Sequence, residues 1–257
     1  SLVSAFRIPL SGLPPDITFH QLDLRRNRFR DLFRQERFYA VVHLGIMHDP
    51  RKSQNELHTF NITGLARLLD SVAGFGVQKL VLLSSSNVYG PNPDNPQFLT
   101  EQTPLLGGAR FSEIRALIES DMMAQGFFWR CPEIETVVLR PAHILGQVRN
   151  APSNYLRLSV IPTLLGFDPM IQVIHQEDVV RAIALALAPG VRGIFNLAGP
   201  EPIPLSRLIE LRRRPRLPVP FSLAKGLLGS AFRLGASSFP SPELDFIRFV
   251  CMVDDQR

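Results

Sequence analysis

At 257 residues, with 45% hydrophobic and 20% charged residues, the chain can bury a large core as one domain, or as a domain with a smaller cap. No apolar run reaches the roughly 18 to 20 residues of a membrane-spanning helix, and the start "SLVSAFRIPLSG" lacks the apolar core and cleavage site of a signal peptide. The net charge of +5 is carried almost wholly by arginine, the lysines being Lys52, Lys79 and Lys225.

Two arginine clusters stand out, "RRNRFRDLFRQERF" at 25–38 and "LRRRPRLP" at 211–218. The first alternates with Asp31, Glu36 and apolar Phe29, Leu32 and Phe33, as the solvated side of an amphipathic helix does, so no nucleic-acid partner is expected. Cys131 and Cys251 have no C-x-x-C spacing and read as reduced thiols of a cytoplasmic protein, not as a disulfide or zinc site. The histidines lack ligand spacing such as H-x-x-x-H, and no metal is expected.

In chain order, "DITFHQLDL" predicts a short strand and residues 25–36 a helix. "FYAVVHLGI" (38–46) is a continuous apolar run with β-branched residues, the form of a strand buried on both faces. "NELHTFNITGLARLLDSVAGFG" spaces Leu57, Phe60, Leu65, Leu68 and Leu69 as a helix and stops at glycine. "QKLVLLSSS" is a further strand, 91–108 a Pro-, Asn- and Gly-rich loop, 112–126 a helix, and "IETVVLRP" a strand. "MIQVIHQEDVVRAIALAL" reads as strand into helix, and "GIFNLAG" as the last strand. This alternation predicts an α/β fold of Rossmann-like, doubly wound type with a mostly parallel sheet.

Such sheets bind ligands beyond the carboxyl ends of their strands. The residues there are Asp23, Gly45 to His48, Ser84 to Asn87, Pro141 to His143, and His175 to Asp178, polar or small after apolar strands. The three serines of "LLSSSNVYG" could hold a substrate oxygen or simply cap a turn. From about 199 the chain turns rich in Pro, Gly and Ser, which predicts a smaller cap. The expected division is a dinucleotide-binding domain of 1–146 plus 171–198 and a substrate-binding cap of 147–170 plus 199–257.

In these segments the chain resembles the extended short-chain dehydrogenases/reductases, the NAD-dependent epimerase/dehydratase family. "HQLDLR" looks like the segment whose aspartate, Asp23, with Leu24 beside it, meets the adenine. "VVHLGI" is similar to V-x-H-L-A-A, which puts Leu44, Gly45 and Ile46 along the cofactor. "FNITGLARLLD" resembles N-V-x-G-T-x-N-L-L and places Asn61 beneath it. "LLSSSNVYG" resembles L-S-S-x-x-V-Y-G, with Ser84 at the cofactor, Ser85 at the catalytic Ser/Thr position, and Ser86, Asn87 and Tyr89 toward the substrate. "LRPAHILG" resembles L-R-P-x-N-V-Y-G and places Pro141 and Ala142 at the nicotinamide and His143 beside the substrate. "IHQEDVVRAIALAL" and "GIFNLAGPEPIPLSRL" are similar to later landmarks of the family.

The resemblance implies an oxidoreductase core that binds NAD or NADP and acts on a small hydroxylated substrate, such as a nucleotide sugar. It also implies a homodimer through the helices at 54–73 and 112–126. In the family a tyrosine removes a hydroxyl proton, and a nearby lysine lowers its pKa from about 10.

The chain departs from the family twice. "FSEIRALIE" puts Phe111 at the tyrosine position, Arg115 at the lysine position and Glu119 at the acid that follows. Phenylalanine carries no exchangeable proton; arginine keeps the charge but cannot release one, although it can hold ribose hydroxyls. The family's opening strand and G-x-x-G-x-x-G turn are missing before Asp23, where Gly12 stands alone. That strand lies mid-sheet, so its loss would leave neighbouring edges unpaired; further residues are therefore expected before Ser1, and a tyrosine missing near the Phe111–Ser112 junction is compatible with this. The functional expectation is an NAD(P)-dependent epimerase/dehydratase-like oxidoreductase with a non-standard catalytic set of Ser85, Phe111 and Arg115, the base being Tyr89, His143 or a tyrosine outside this sequence. Its rival is an inactive NAD(P)-binding or scaffolding relative. A weaker reading takes 222–235 as a membrane-surface contact.

Overall fold

The computed structural model describes residues 2–4, 14–44, 53–109, 114–147, 156, 158–224 and 251–256. Its main sheet consists of β3 (Ala40–His43), β4 (Lys79–Leu83), β5 (Glu135–Pro141) and β10 (Gly193–Leu197), all parallel, in the order β10-β5-β4-β3. β4 and β5 are the apolar runs read in the sequence: Leu80, Val81, Leu82, Val137, Val138 and Leu139 are buried on both faces. Fully burying a side chain of this size contributes about 1.5 to 3 kcal/mol.

A separate parallel pair joins β1 (Leu2–Ser4) to β2 (Phe19–Gln21). No ladder links this ribbon to the main sheet among the described strands. The two are held side by side by packing: Val3 of β1 and Val41 of β3 lie against the same apolar cluster as Leu65, Leu69, Leu80 and Phe127. The ladders of both are parallel throughout, as expected.

Helix α1 (Asn27–Gln35) buries Phe29, Leu32 and Phe33, the i, i+3, i+4 stripe of an amphipathic helix, and leaves its arginines outward. The segment expected as one helix is three pieces: α2 (Gln54–His58), a π-helical turn over Thr59–Thr63, and α3 (Gly64–Gly74). A capping box starts α2, the Glu56 amide donating to Ser53 Oγ while Glu56 Oε2 accepts from the Ser53 amide. Gly76, at φ 73°, takes the chain out of α3. The wide turn places Asn61 inward, and π-turns within helices are often found where a side chain must be re-aimed.

Helix α4 (Arg115–Arg130) runs four residues past its expected end, through Gly126, which faces open space. The expected strand 170–175 is two: β8 (Met170–Ile171) and β9 (Val173–His175), interrupted where Gln172 turns inward to bond both backbone groups of Val253. β9 pairs in parallel with β6 (His143–Leu145) and leads into α5 (Gln176–Ala186).

The remaining strands and a helix gather round a second apolar cluster of Leu156, Ile161, Leu164, Ile171, Leu205, Leu208, Ile209 and Ala224. β7 (Ile161–Leu164) pairs with β12 (Arg216–Val219), β11 (Ile203–Pro204) pairs with β8, and α6 (Leu205–Leu211) is capped by Asp168, which accepts from the Ser206 amide and hydroxyl.

Candidate active site

The carboxyl ends of β4 and β5 carry half of the residues singled out in the sequence. Ser84 is buried, and its hydroxyl donates to Asp121 Oδ2 at 2.6 Å. Ser85, half-buried, caps the 3-10 turn Ser86–Tyr89 by accepting from the Asn87 amide at 3.2 Å. Its own hydroxyl hydrogen has no acceptor among the described residues, so both readings of the serines coexist: a turn cap that still offers a donor outward. Ser86 is buried and Asn87 half-buried.

Tyr89 is turned inward. Its hydroxyl donates to Asn196 Oδ1 and accepts from Arg140 Nη1, each at 2.8 Å. Burial raises its pKa above the usual phenol value, against the opposing pull of Arg140.

Behind the strand ends lies a polar knot. Arg140 and Asp121 are fully buried and form a bidentate pair, Nε to Oδ2 at 2.9 Å and Nη2 to Oδ1 at 2.7 Å. Burial works against the charge of Arg140, but its bonds to Asp121 outweigh that and hold its pKa above the ordinary value. Asn196 continues the knot: its amide nitrogen donates to the carbonyls of Leu99 and Asp254, and its backbone N–H to Glu101 Oε1. Every buried polar group here has a partner, which such a site requires. The segment 251–256 is thereby tied to the back of the site.

Arg115 opens α4 with its guanidinium exposed, Nε donating to the Gly108 carbonyl at 3.2 Å. Phe111 lies outside the described residues. Glu119, the acid four residues after Arg115, is half-exposed and pairs with His58 on α2. The carboxylate of α4 that reaches the strands is Asp121. Placing the family's Y-x-x-x-K-x-x-x-acid pattern on Asp121 moves the lysine position to Leu117 and the tyrosine position to Glu113, which also lies outside the described residues. In either register the helix lacks the tyrosine–lysine pair.

Pro141 and Ala142 are buried, and His143 follows half-buried at the head of β6. Burial pulls the His143 pKa down to about 4, so its imidazole is neutral at neutral pH. His43, buried at the end of β3, is likewise held at about 4. Leu44, just beyond it, is exposed; Gly45, Ile46 and His48 lie outside the described residues.

At the end of β2, the Asp23 carboxylate accepts from the Arg25 backbone and from Nε and Nη2, and these bonds hold its pKa below the usual range. The Arg25 guanidinium also lies over the Phe60 ring at 5.4 Å, and Leu24 packs half-buried against the core. Asn61 is buried in the π-helical turn. Asp23, the exposed Leu44 and the buried Pro141–Ala142 corner lie just beyond the carboxyl ends of β2 and β3 and at the end of β5, where residues able to hold a dinucleotide would stand, and a glycine turn to receive its pyrophosphate is not in this sequence. Among the described residues no group of three His, Cys, Asp or Glu is placed to hold a metal ion.

The sequence reading missed Asp121, Arg140 and Asn196 as members of the site. One signal was available for Asp121: it stands three residues before Ala124 and six before Phe127, on the inward stripe of α4.

Residues 7–198 match the model of the NAD-dependent epimerase/dehydratase family. The chain is 30% identical over 210 residues to an uncharacterized protein of Mycobacterium tuberculosis, covering 79% of this chain and 54% of the relative. It is 30% identical over 145 residues to UDP-glucose 4-epimerase 2 of Oryza sativa, covering 55% of this chain and 34% of that protein. The chain thus spans about half the length of the mycobacterial relative. Among solved structures it is similar to the UDP-glucose 4-epimerase of Thermus thermophilus in complex with NAD, with a TM-score of 0.69, 18% identity, and coverage of 82% of this chain and 75% of that one. It is also similar to the dTDP-glucose 4,6-dehydratase of Bacillus anthracis in complex with NAD, with a TM-score of 0.66, 18% identity, and coverage of 80% and 68%. The fold, the strand-end residues and this match agree: the chain belongs to the NAD-dependent epimerase/dehydratase family of extended short-chain dehydrogenases/reductases.

Proposed function

We propose that the protein binds NAD and a nucleotide sugar in the manner of its family but carries out no tyrosine-mediated proton transfer, acting as a binding relative of the epimerases. The observation that carries this reading is the state of the bases. Neither register of α4 supplies a tyrosine and lysine, and Tyr89 is buried with its hydroxyl committed on both sides.

Asp23 would hold the adenine end, with Leu44 and Asn61 along the cofactor and Pro141 and Ala142 at the nicotinamide. Bound NAD supplies a hydride acceptor. Ser85 would donate its free hydrogen to a sugar oxygen, and Arg115 would hold ribose or substrate hydroxyls as a fork. The residues 147–170 plus 199–257 serve in this reading as the substrate-binding cap, and 1–146 plus 171–198 as the cofactor domain.

The test is NAD binding by calorimetry, followed by a search for reduced nicotinamide with a panel of UDP- and dTDP-sugars. Binding with no reduction, in the protein and in Ser85→Ala alike, is the expected result. Reduction that disappears in Ser85→Ala would overturn it.

A second reading keeps catalysis, with His143 as base, and it rests on the neutral imidazole beside the Pro141–Ala142 corner. Sugar-dependent reduction abolished by His143→Gln would favour it. In the first reading the protein also pairs with itself along α3 and α4, where Met122 and Trp129 are exposed. Light scattering of Met122→Ser/Trp129→Ser checks this, a shift from dimer to monomer being expected.

A further inference from the structure

The arginine segment 211–218 takes no part in the site above. Each of its residues is exposed, from the last residue of α6 through the first three of β12. None of Arg212, Arg213, Arg214 and Arg216 makes an ion pair among the described residues, whereas Arg207, just before them, pairs with Glu210. Arg213 sits at φ 51°, in the left-handed conformation that a glycine adopts most easily after a helix. An arginine held there keeps its charge on the turn at a conformational cost.

The apolar neighbours are unusual for a solvated basic loop. Leu205, Leu208 and Ile209 face the cap cluster, but Leu211 is 63% exposed. Leu217, on β12, is 55% exposed, and Leu223, just beyond the strand, 53%. β12 pairs with β7 alone among the described strands, so the segment lies at a sheet edge.

Unpaired guanidinium groups interleaved with uncovered leucines combine the two attractions of an anionic bilayer surface: charge for the headgroups, and apolar side chains for the acyl boundary. A phosphodiester backbone would draw on the arginines alone. We propose that residues 211–223 dock the protein on anionic lipid surfaces, peripherally, through Arg212, Arg213, Arg214 and Arg216 together with Leu211, Leu217 and Leu223. No helix among the described residues is long and apolar enough to cross a membrane, so the contact lies on the surface. This goes beyond the cofactor-binding reading and does not depend on it.

The experiment is co-sedimentation of the protein with vesicles of phosphatidylcholine, with and without phosphatidylglycerol, over a range of salt. Binding is expected only to the anionic vesicles and should weaken with salt. Each basic residue near such a surface strengthens partition roughly fivefold. Serine at all four arginine positions should therefore weaken binding more than about a hundredfold, and lysine at the same positions should restore it. Leu217→Ser with Leu223→Ser, at unchanged charge, should weaken binding about tenfold. All these side chains are exposed, and matching unfolding transitions would verify that the variants fold.

Binding to neutral vesicles as strong as to anionic ones, or retained in the four-serine variant, would overturn the proposal. So would binding indifferent to the leucines, or matched at equal salt by duplex DNA, because the surface would then be a polyanion site.

Discussion

The hydroxyl of Ser84 and the carboxylate of Asp121 meet at 2.6 Å, joining the carboxyl end of β4 to the middle of α4. The same carboxylate holds Arg140 of β5 on both its oxygens. One side chain thus fixes the strand ends that carry Ser85 and Ala142 relative to the helix that carries Arg115. Asp121 is a positioning residue in this sense.

Asp121→Ala should destabilise the fold by about 3 to 5 kcal/mol, because a buried guanidinium is left without its counter-charge. The double variant Asp121→Leu/Arg140→Met should lose less than Asp121→Ala, since it removes both charges. Urea unfolding of the three proteins checks the order.

Tyr89→Phe deletes one hydroxyl that serves Arg140 and Asn196 together. The expected loss is about 1 to 3 kcal/mol, the cost of stranding buried polar partners. It should appear in the unfolding midpoint, since the ring and its packing remain.

Gly90 and Gly107 are packed backbone to backbone. A β-carbon on Gly90 would lie 2.5 Å from the Gly107 α-carbon, and its φ of 77° already disfavours side chains. Gly90→Ala should therefore cost more than about 2 kcal/mol, left-handed strain alone accounting for about 1 to 2. Gly166, at φ 83° with nothing within 4 Å of its β-position, is the control; Gly166→Ala should show the strain without the clash. Thermal denaturation of the pair separates the two effects.

Burial holds His43 and His143 at about 4, below the ordinary 6.5. In the unfolded chain these rings take up protons first as the pH falls, so each stabilises the fold above 6.5 and loses that contribution between 6.5 and about 4. For His43, which is 8% exposed, the amount at stake is roughly 3 kcal/mol. His43→Gln should flatten the decline of stability across this window, measured by urea unfolding at several pH values.

The elements visible in the sequence were those with a strong local pattern. The continuous apolar runs of β4 and β5 and the i, i+3, i+4 stripe of α1 could form nothing else once buried, and the strand-end residues followed from them. Other features depended on distant partners. Gln172 breaks a strand because it answers Val253, 81 positions away. Arg140 and Lys79 are charged residues within strands, and nothing local shows that they are buried; Asp121 and Glu135 come to them from other elements. The family offset points to Glu119 as the acid of α4, while the helix turns Asp121 inward.

The knot behind the strand ends has a consequence for how the molecule opens. β4 is bonded on both sides, by β3 and β5, and its carboxyl end is tied to α4 through Ser84 and Asp121. The amides of β4 and β5 should exchange with deuterated water only when the whole fold opens, orders of magnitude after those of exposed turns. The serines at the end of β4 would then keep their places through every local opening, as a fixed floor beneath whatever moves above them.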